Sequence, residues 1–148
     1  MTIWTDLETP LTAKPRFHVE TRDASLSSEL QRQTAFLRLM RIAAPKVLVF
    51  ANANAGKRNP AQAKREGVMA GVFDLTCHWL GGMAYIEFKG RAASGAWGRL
   101  SQPQIEWGNR VYALGMPVGC FCTAEGAAEW LRGLGAPIAK IQAGVRAV

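Results

Sequence analysis

The amino-acid sequence predicts an α/β protein, with a central mixed β-sheet flanked by helices. Three observations carry that expectation. Short runs rich in valine, isoleucine and aromatic residues ("KVLVFAN", "VFDLTCHWL", "MAYIEFK" and "PVGCFC") read as strands. Between them lie segments with capping residues at their starts and apolar positions at helical spacing. The two kinds alternate along the chain, as they do where helices pack on the faces of a sheet.

Residues 1–24 mix Pro10 and Pro15 with polar residues and read as an extended arm, with a short strand in "RFHVE". "SLSSELQRQTAFLRLMRIA" is the first helix. Ser27 or Ser28 caps it, and Leu30, Ala35, Phe36, Leu37, Leu39, Met40 and Ile42 give it a broad apolar face. "KVLVFAN", nearly all apolar, reads as a strand buried on both faces. A loop follows, then a short helix that starts at Asn59-Pro60 and stops at Gly67. "VFDLTCHWL" and "MAYIEFK" flank Gly81-Gly82 and read as a hairpin. A loop of small residues leads to a helix capped by Ser101, with Pro103 in its first turn and Gly115 at its end. "PVGCFC" is a buried strand, and "TAEGAAEWLRGLG" a last amphipathic helix. Residues 136–148 form a tail. No repeat or linker divides the chain, so residues 1–148 read as a single domain.

The chain has 148 residues, 49% of them apolar, enough for a core without staples. Its formal net charge is +7. A basic balance of this size points to a polyanionic partner, with nucleic acid first, or to a surface kept basic for solubility. The N-terminus lacks the basic start and apolar run of a signal peptide, and no run is long enough to span a bilayer. The expectation is a cytoplasmic protein without a membrane partner. Cys77, Cys120 and Cys122 are odd in number and lie in apolar runs, as in a reducing compartment.

The hairpin raises the chemical question. Asp74, Glu87 and Lys89 lie inside strand-like runs, where charges are costly unless paired. With Gly81 and Gly82 as turn residues, Leu80 opposes Met83, Thr76 opposes Glu87, and Asp74 opposes Lys89. All three charged groups then share one face of the sheet. Asp74 and Glu87 become diagonal neighbours with Cα atoms roughly 7–8 Å apart. Two carboxylates so placed can converge on one hard cation, with oxygen ligands at about 2.0–2.1 Å for magnesium. Such an ion lowers the pKa of bound water and stabilises charge on a phosphoryl oxygen, while a lysine beside it orients that water. The plainer alternative is a cross-strand Asp74–Lys89 ion pair with Glu87 at an open edge.

"GVFDL", then "YIEFKG", then "GRLSQPQIEWGNRVYALGMPVG" resembles the VRR-NUC (virus-type replication-repair nuclease) family of the PD-(D/E)xK nuclease superfamily. The resemblance runs from about Ser28 to Cys122. It implies a restriction-endonuclease-like fold and magnesium- or manganese-dependent hydrolysis of DNA phosphodiester bonds by an endonuclease. It also implies a homodimer that cuts branched DNA such as four-way junctions, for which Ile3, Trp4 and Phe17 of the arm would be interface material. Residue by residue, it implies that Asp74, Glu87 and the backbone carbonyl of Phe88 bind the metal, and that Lys89 serves the attacking water. Gln104 would orient the site, or else act as a capping-box glutamine reaching back to Ser101. Glu29 would approach the metal through water, or else only favour its helix dipole. The family usually has proline before the aspartate; Phe73 stands there in this chain.

Lys57, Arg58, Lys64 and Arg65 before the acidic strand, and Arg91 and Arg99 after it, sit where a phosphate backbone would cross. Trp97 either stacks on a base or packs under its own loop. "AGKR" lacks the earlier glycine and the hydroxyl residue of a phosphate-binding loop. Cys77, His78, Cys120 and Cys122 match no common zinc spacing, which leaves core cysteines. No Ser-His-Asp set is apparent.

Overall fold

The computed structural model describes residues 14–52 and 59–140. Its centre is a five-stranded mixed sheet in the order β1-β5-β4-β3-β2. The strands are β1 (His18–Val19), β2 (Leu48–Ala51), β3 (Leu75–Trp79), β4 (Gly82–Phe88) and β5 (Val118–Phe121). β2, β3 and β4 form an antiparallel meander, and β5 lies parallel to both β4 and β1. The helices are α1 (Glu29–Ala43), α2 (Pro60–Arg65), α3 (Gln102–Ala113) and α4 (Ala124–Gly133).

Period-2 alternation divides the sheet residues between two cores. Leu75, Cys77, Ala84, Ile86, Phe88 and Phe121 face α1 and α4, where they meet Phe36, Leu39, Met40, Ala127 and Leu131. Val118 and Cys120 face the other way, into a second cluster with Phe17, Phe73 and Trp107 of α3. Helices therefore cover both faces of the sheet. Each fully buried large side chain contributes about 1.5–3 kcal/mol, so the Phe36–Phe88–Phe121 group anchors the larger core.

The helix limits follow local chemistry. Ser28 and Ser101 each form a capping box, with Gln31 and Gln104 respectively. Asn59 caps α2 and Thr123 caps α4. The expected apolar face of α1 is narrower than its composition. Phe36, Leu39 and Met40 are buried, but Leu30 is 73% and Ile42 62% exposed.

Three expectations are corrected. "KVLVFAN" does not form a doubly buried strand. β2 is an edge strand pairing with β3 alone, with Leu48 and Phe50 exposed. An all-apolar run shows that a strand forms, not how many neighbours it has. The hairpin turn is not Gly81-Gly82. Trp79 pairs with Gly82, so Leu80 and Gly81 make the bend. Gly81 takes φ +87°, the left-handed value that the third residue of a type II turn needs. Gly82 is fixed by packing, since a Cβ there would lie 2.5 Å from the Trp79 ring. Phe17, finally, is buried against Phe73 and is not interface material. Ile3 and Trp4 lie outside the described residues, as does most of the tail. Ala136 is buried, and the Ala139 N–H donates to the Ala43 carbonyl.

No helix among the described residues is long and apolar enough to cross a membrane.

Candidate metal centre

Moving the turn by one residue slides the β3–β4 register by two. A slip of two preserves the face of every side chain. The shared face of Asp74, Glu87 and Lys89 therefore survives, but the partners change. The observed register runs Thr76 to Tyr85 and Leu75 to Ile86, which carries Asp74 opposite Glu87 rather than Lys89. The Asp74–Lys89 cross-strand pair is not formed. Lys89 Nζ instead lies 3.5 Å from Glu87 Oε1 and 3.8 Å from Glu29 Oε2.

Asp74 sits at a bend just before β3 and is held from three sides. Its N–H donates to Glu87 Oε2 at 2.8 Å. Its carbonyl accepts the Asn52 N–H at 2.7 Å. Asn52 Nδ2 donates to the Phe73 carbonyl at 2.8 Å, while Asn52 Oδ1 accepts from the Thr76 hydroxyl at 2.8 Å. Phe73, the residue before Asp74, anchors the approach to it. Its ring is wholly buried between Phe17 and Trp107.

Glu87 is 1% exposed, and each of its oxygens has a donor. Oε2 takes the Asp74 N–H, and Oε1 takes Gln104 Nε2 at 2.9 Å. Burial pushes its carboxyl up to about 7, and the charge on Asp74 pushes the same way. Gln104 also accepts the Ser101 N–H on Oε1 at 2.9 Å, so it both caps its helix and holds Glu87. Glu29 stands in the first turn of α1 and brings the third carboxylate. Burial raises its pKa, against the pull of Lys89 and with the push of Asp74.

One carboxylate oxygen each from Glu29, Asp74 and Glu87 lies within 4.8 Å of the others. Three acids against one lysine leave negative charge uncompensated at a site where Glu87 is buried and Glu29 and Asp74 are half-buried. An all-oxygen donor set of that charge suits a hard divalent cation. The Phe88 side chain points into the larger core, opposite its neighbours Glu87 and Lys89, and its carbonyl lies between them along the chain. Among the described residues this is the acidic or Cys/His group close enough to hold an ion. The three cysteines are free and buried, with the Cys77 and Cys120 thiols pushed up to about 12 by burial. They are core residues.

Two glycines let the surrounding elements close on the site. A Cβ on Gly90 would lie 2.6 Å from the Glu29 nitrogen, so glycine there lets α1 approach the end of β4. A Cβ on Gly71, at φ +83°, would lie 2.1 Å from the Pro103 carbonyl oxygen, where the chain crosses the start of α3. Sequence reasoning missed both glycines and Asn52, since each acts through long-range contact. It missed Arg32 too, although the signal was present: a charge on the stripe shared with Phe36, Leu39 and Ala43. Its buried guanidinium binds Asp23 and the carbonyls of Ser25, Ser27 and Cys122.

The basic residues are dispersed. Lys57 and Arg58 lie outside the described residues. Lys64 and Arg65 are exposed on α2, and Arg99 is exposed in the loop before α3. Arg91 is engaged, donating to the Gly95 and Ser25 carbonyls. Trp97 neither stands free for a base nor packs only under its loop. The guanidinium carbons of Arg22, Arg32 and Arg91 lie 5.4, 4.9 and 4.8 Å from its ring centroid.

In comparisons with known proteins, no protein-family model, no curated protein and no solved structure matches this chain.

Proposed function

We propose that the protein is a magnesium- or manganese-dependent endonuclease that hydrolyses DNA phosphodiester bonds, of the VRR-NUC type and restriction-endonuclease-like fold. The observation that carries this reading is the convergence of Glu29, Asp74 and Glu87 within 4.8 Å, with Lys89 beside two of them. The topology agrees: a helix, an antiparallel meander, a crossover helix and a parallel strand, with the acids at one end of the central pair.

In this reading Asp74, Glu87 and the Phe88 carbonyl would hold the ion directly, and Glu29 through water. When bound, the ion supplies positive charge for a phosphoryl oxygen and acidifies a water. The chain's own residues do the rest. Asp74 N–H and Gln104 Nε2 take one oxygen of Glu87 each and so fix the carboxylate plane. Lys89 carries its charge beside both glutamates, where it orients the attacking water and offsets charge developing on the phosphate. Lys57, Arg58, Lys64, Arg65 and Arg99 supply backbone contacts, while Arg91 first holds its own loop. A homodimer acting on branched DNA follows from the resemblance.

The test is incubation of labelled linear, flapped and four-way-junction DNA with the protein in magnesium and in manganese. Cutting that chelator abolishes supports the reading. Salt-sensitive binding without cutting in either metal makes the protein a DNA-binding module instead.

A further inference from the structure

A cleft of about 370 Å³ opens beside Lys89. It lies on the acidic face of the sheet, because Glu87 and Cys120 are register partners and Cys120 lines the cleft. Its apolar lining comes from Val19, Leu100, Ile105 and the ring of Trp97. Its rim carries Lys89, Arg22 and Arg99. Arg22 and Arg99 are exposed, and among the described residues neither forms an ion pair with a carboxylate. Glu20 also lines the cleft, but its oxygens are taken by the N–H groups of Cys122 and Thr123 and the Thr123 hydroxyl. An apolar slot with a cationic rim complements a flat base whose phosphates lie at the surface.

We infer that this cleft receives a single unpaired base of the DNA, next to the phosphate presented to Glu87 and Lys89. The inference rests on the nuclease reading and narrows its substrate class. A base within a duplex must leave its stack to enter such a slot, whereas an unpaired base enters at little cost. The site therefore selects DNA with an unpaired nucleotide at the cut. Within the cleft the base lies against Val19, Leu100 and Ile105 rather than on Trp97, whose ring already carries three guanidinium groups.

The experiment uses two DNA probes containing the fluorescent adenine analogue aminopurine, unpaired at a branch in one and paired in the other. Both are titrated with protein in calcium, a cation with looser oxygen coordination than magnesium. With wild-type protein, emission from the unpaired probe rises as the base leaves its neighbours, and the paired probe changes little. Val19→Trp fills the cleft from β1. It abolishes the rise and weakens binding of the unpaired probe about tenfold, the scale of one base's contacts. Binding of the paired probe stays within about twofold, since its contacts are with phosphates. Leu100→Trp fills the cleft from the loop before α3 and serves if Val19→Trp disturbs β1. No rise at saturating wild-type protein, no DNA binding at all, or an undiminished rise in a folded filled-cleft variant overturns the inference. A rise without cutting in magnesium or manganese upholds the cleft and overturns the nuclease reading. Cutting without a rise does the reverse.

Discussion

Gln104 serves two structures with one amide. Its oxygen caps α3 through the Ser101 N–H, and its nitrogen reaches Glu87. The cap was legible in the sequence because Ser-x-x-Gln is a local pattern. That the same side chain also reaches Glu87 was not, because that contact spans the fold. Gln104→Glu separates the roles. It keeps an acceptor for Ser101, loses the donor to Glu87 and adds charge. Cleavage or metal affinity should fall about 10–100-fold, with little change in helix content by circular dichroism. Glu87 makes a second prediction. Its carboxyl is pushed up to about 7 from an ordinary 4.5, so between those values the folded state holds more protons than the unfolded. Stability then falls as pH rises through that window. Metal-free protein should lose on the order of 3 kcal/mol from this residue between about pH 4.5 and 7, measured by urea unfolding in chelator. Raised Glu29 acts in the same direction, while lowered Glu20 titrates below the window. Glu87→Gln should flatten the slope. A slope unchanged by that substitution contradicts the assignment.

At the scale of elements, the hairpin teaches how far pattern reading goes. Alternation fixed which face Asp74, Glu87 and Lys89 occupy, and a register slip of two left that intact. The choice of turn residues depended on Trp79 packing over Gly82, a contact that no local rule contains. The edge position of β2 was hidden for a similar reason, since the neighbours of a strand are a property of the whole sheet. Helix starts were read well because Ser28, Asn59, Ser101 and Thr123 act within their own turns. The packing of elements around the acids rests on Gly71 and Gly90. Gly71→Ala brings a left-handed backbone and a backbone collision together, and should cost about 1–3 kcal/mol or more in urea unfolding. Gly90→Ala should displace the start of α1 and with it Glu29. It should weaken metal binding by calorimetry more than it lowers the unfolding midpoint.

For the whole molecule, charge and site must act together. A net charge of +7 on 148 residues would bind DNA through counterion release, so affinity should fall steeply with salt. Arg99→Ala should reduce the slope of log affinity against log salt by about one if that side chain meets a phosphate. Removing an acid from the centre should leave binding intact or improved, because it removes repulsion. The most direct measurement is therefore paired: cleavage of labelled branched DNA in magnesium or manganese, and binding of the same DNA, for wild type, Asp74→Ala, Glu87→Ala and Lys89→Ala. The account predicts that wild type cuts, that all three variants bind DNA without cutting, and that Lys89→Ala still takes up metal in calorimetry. Cutting by any of the three at the wild-type rate would contradict it.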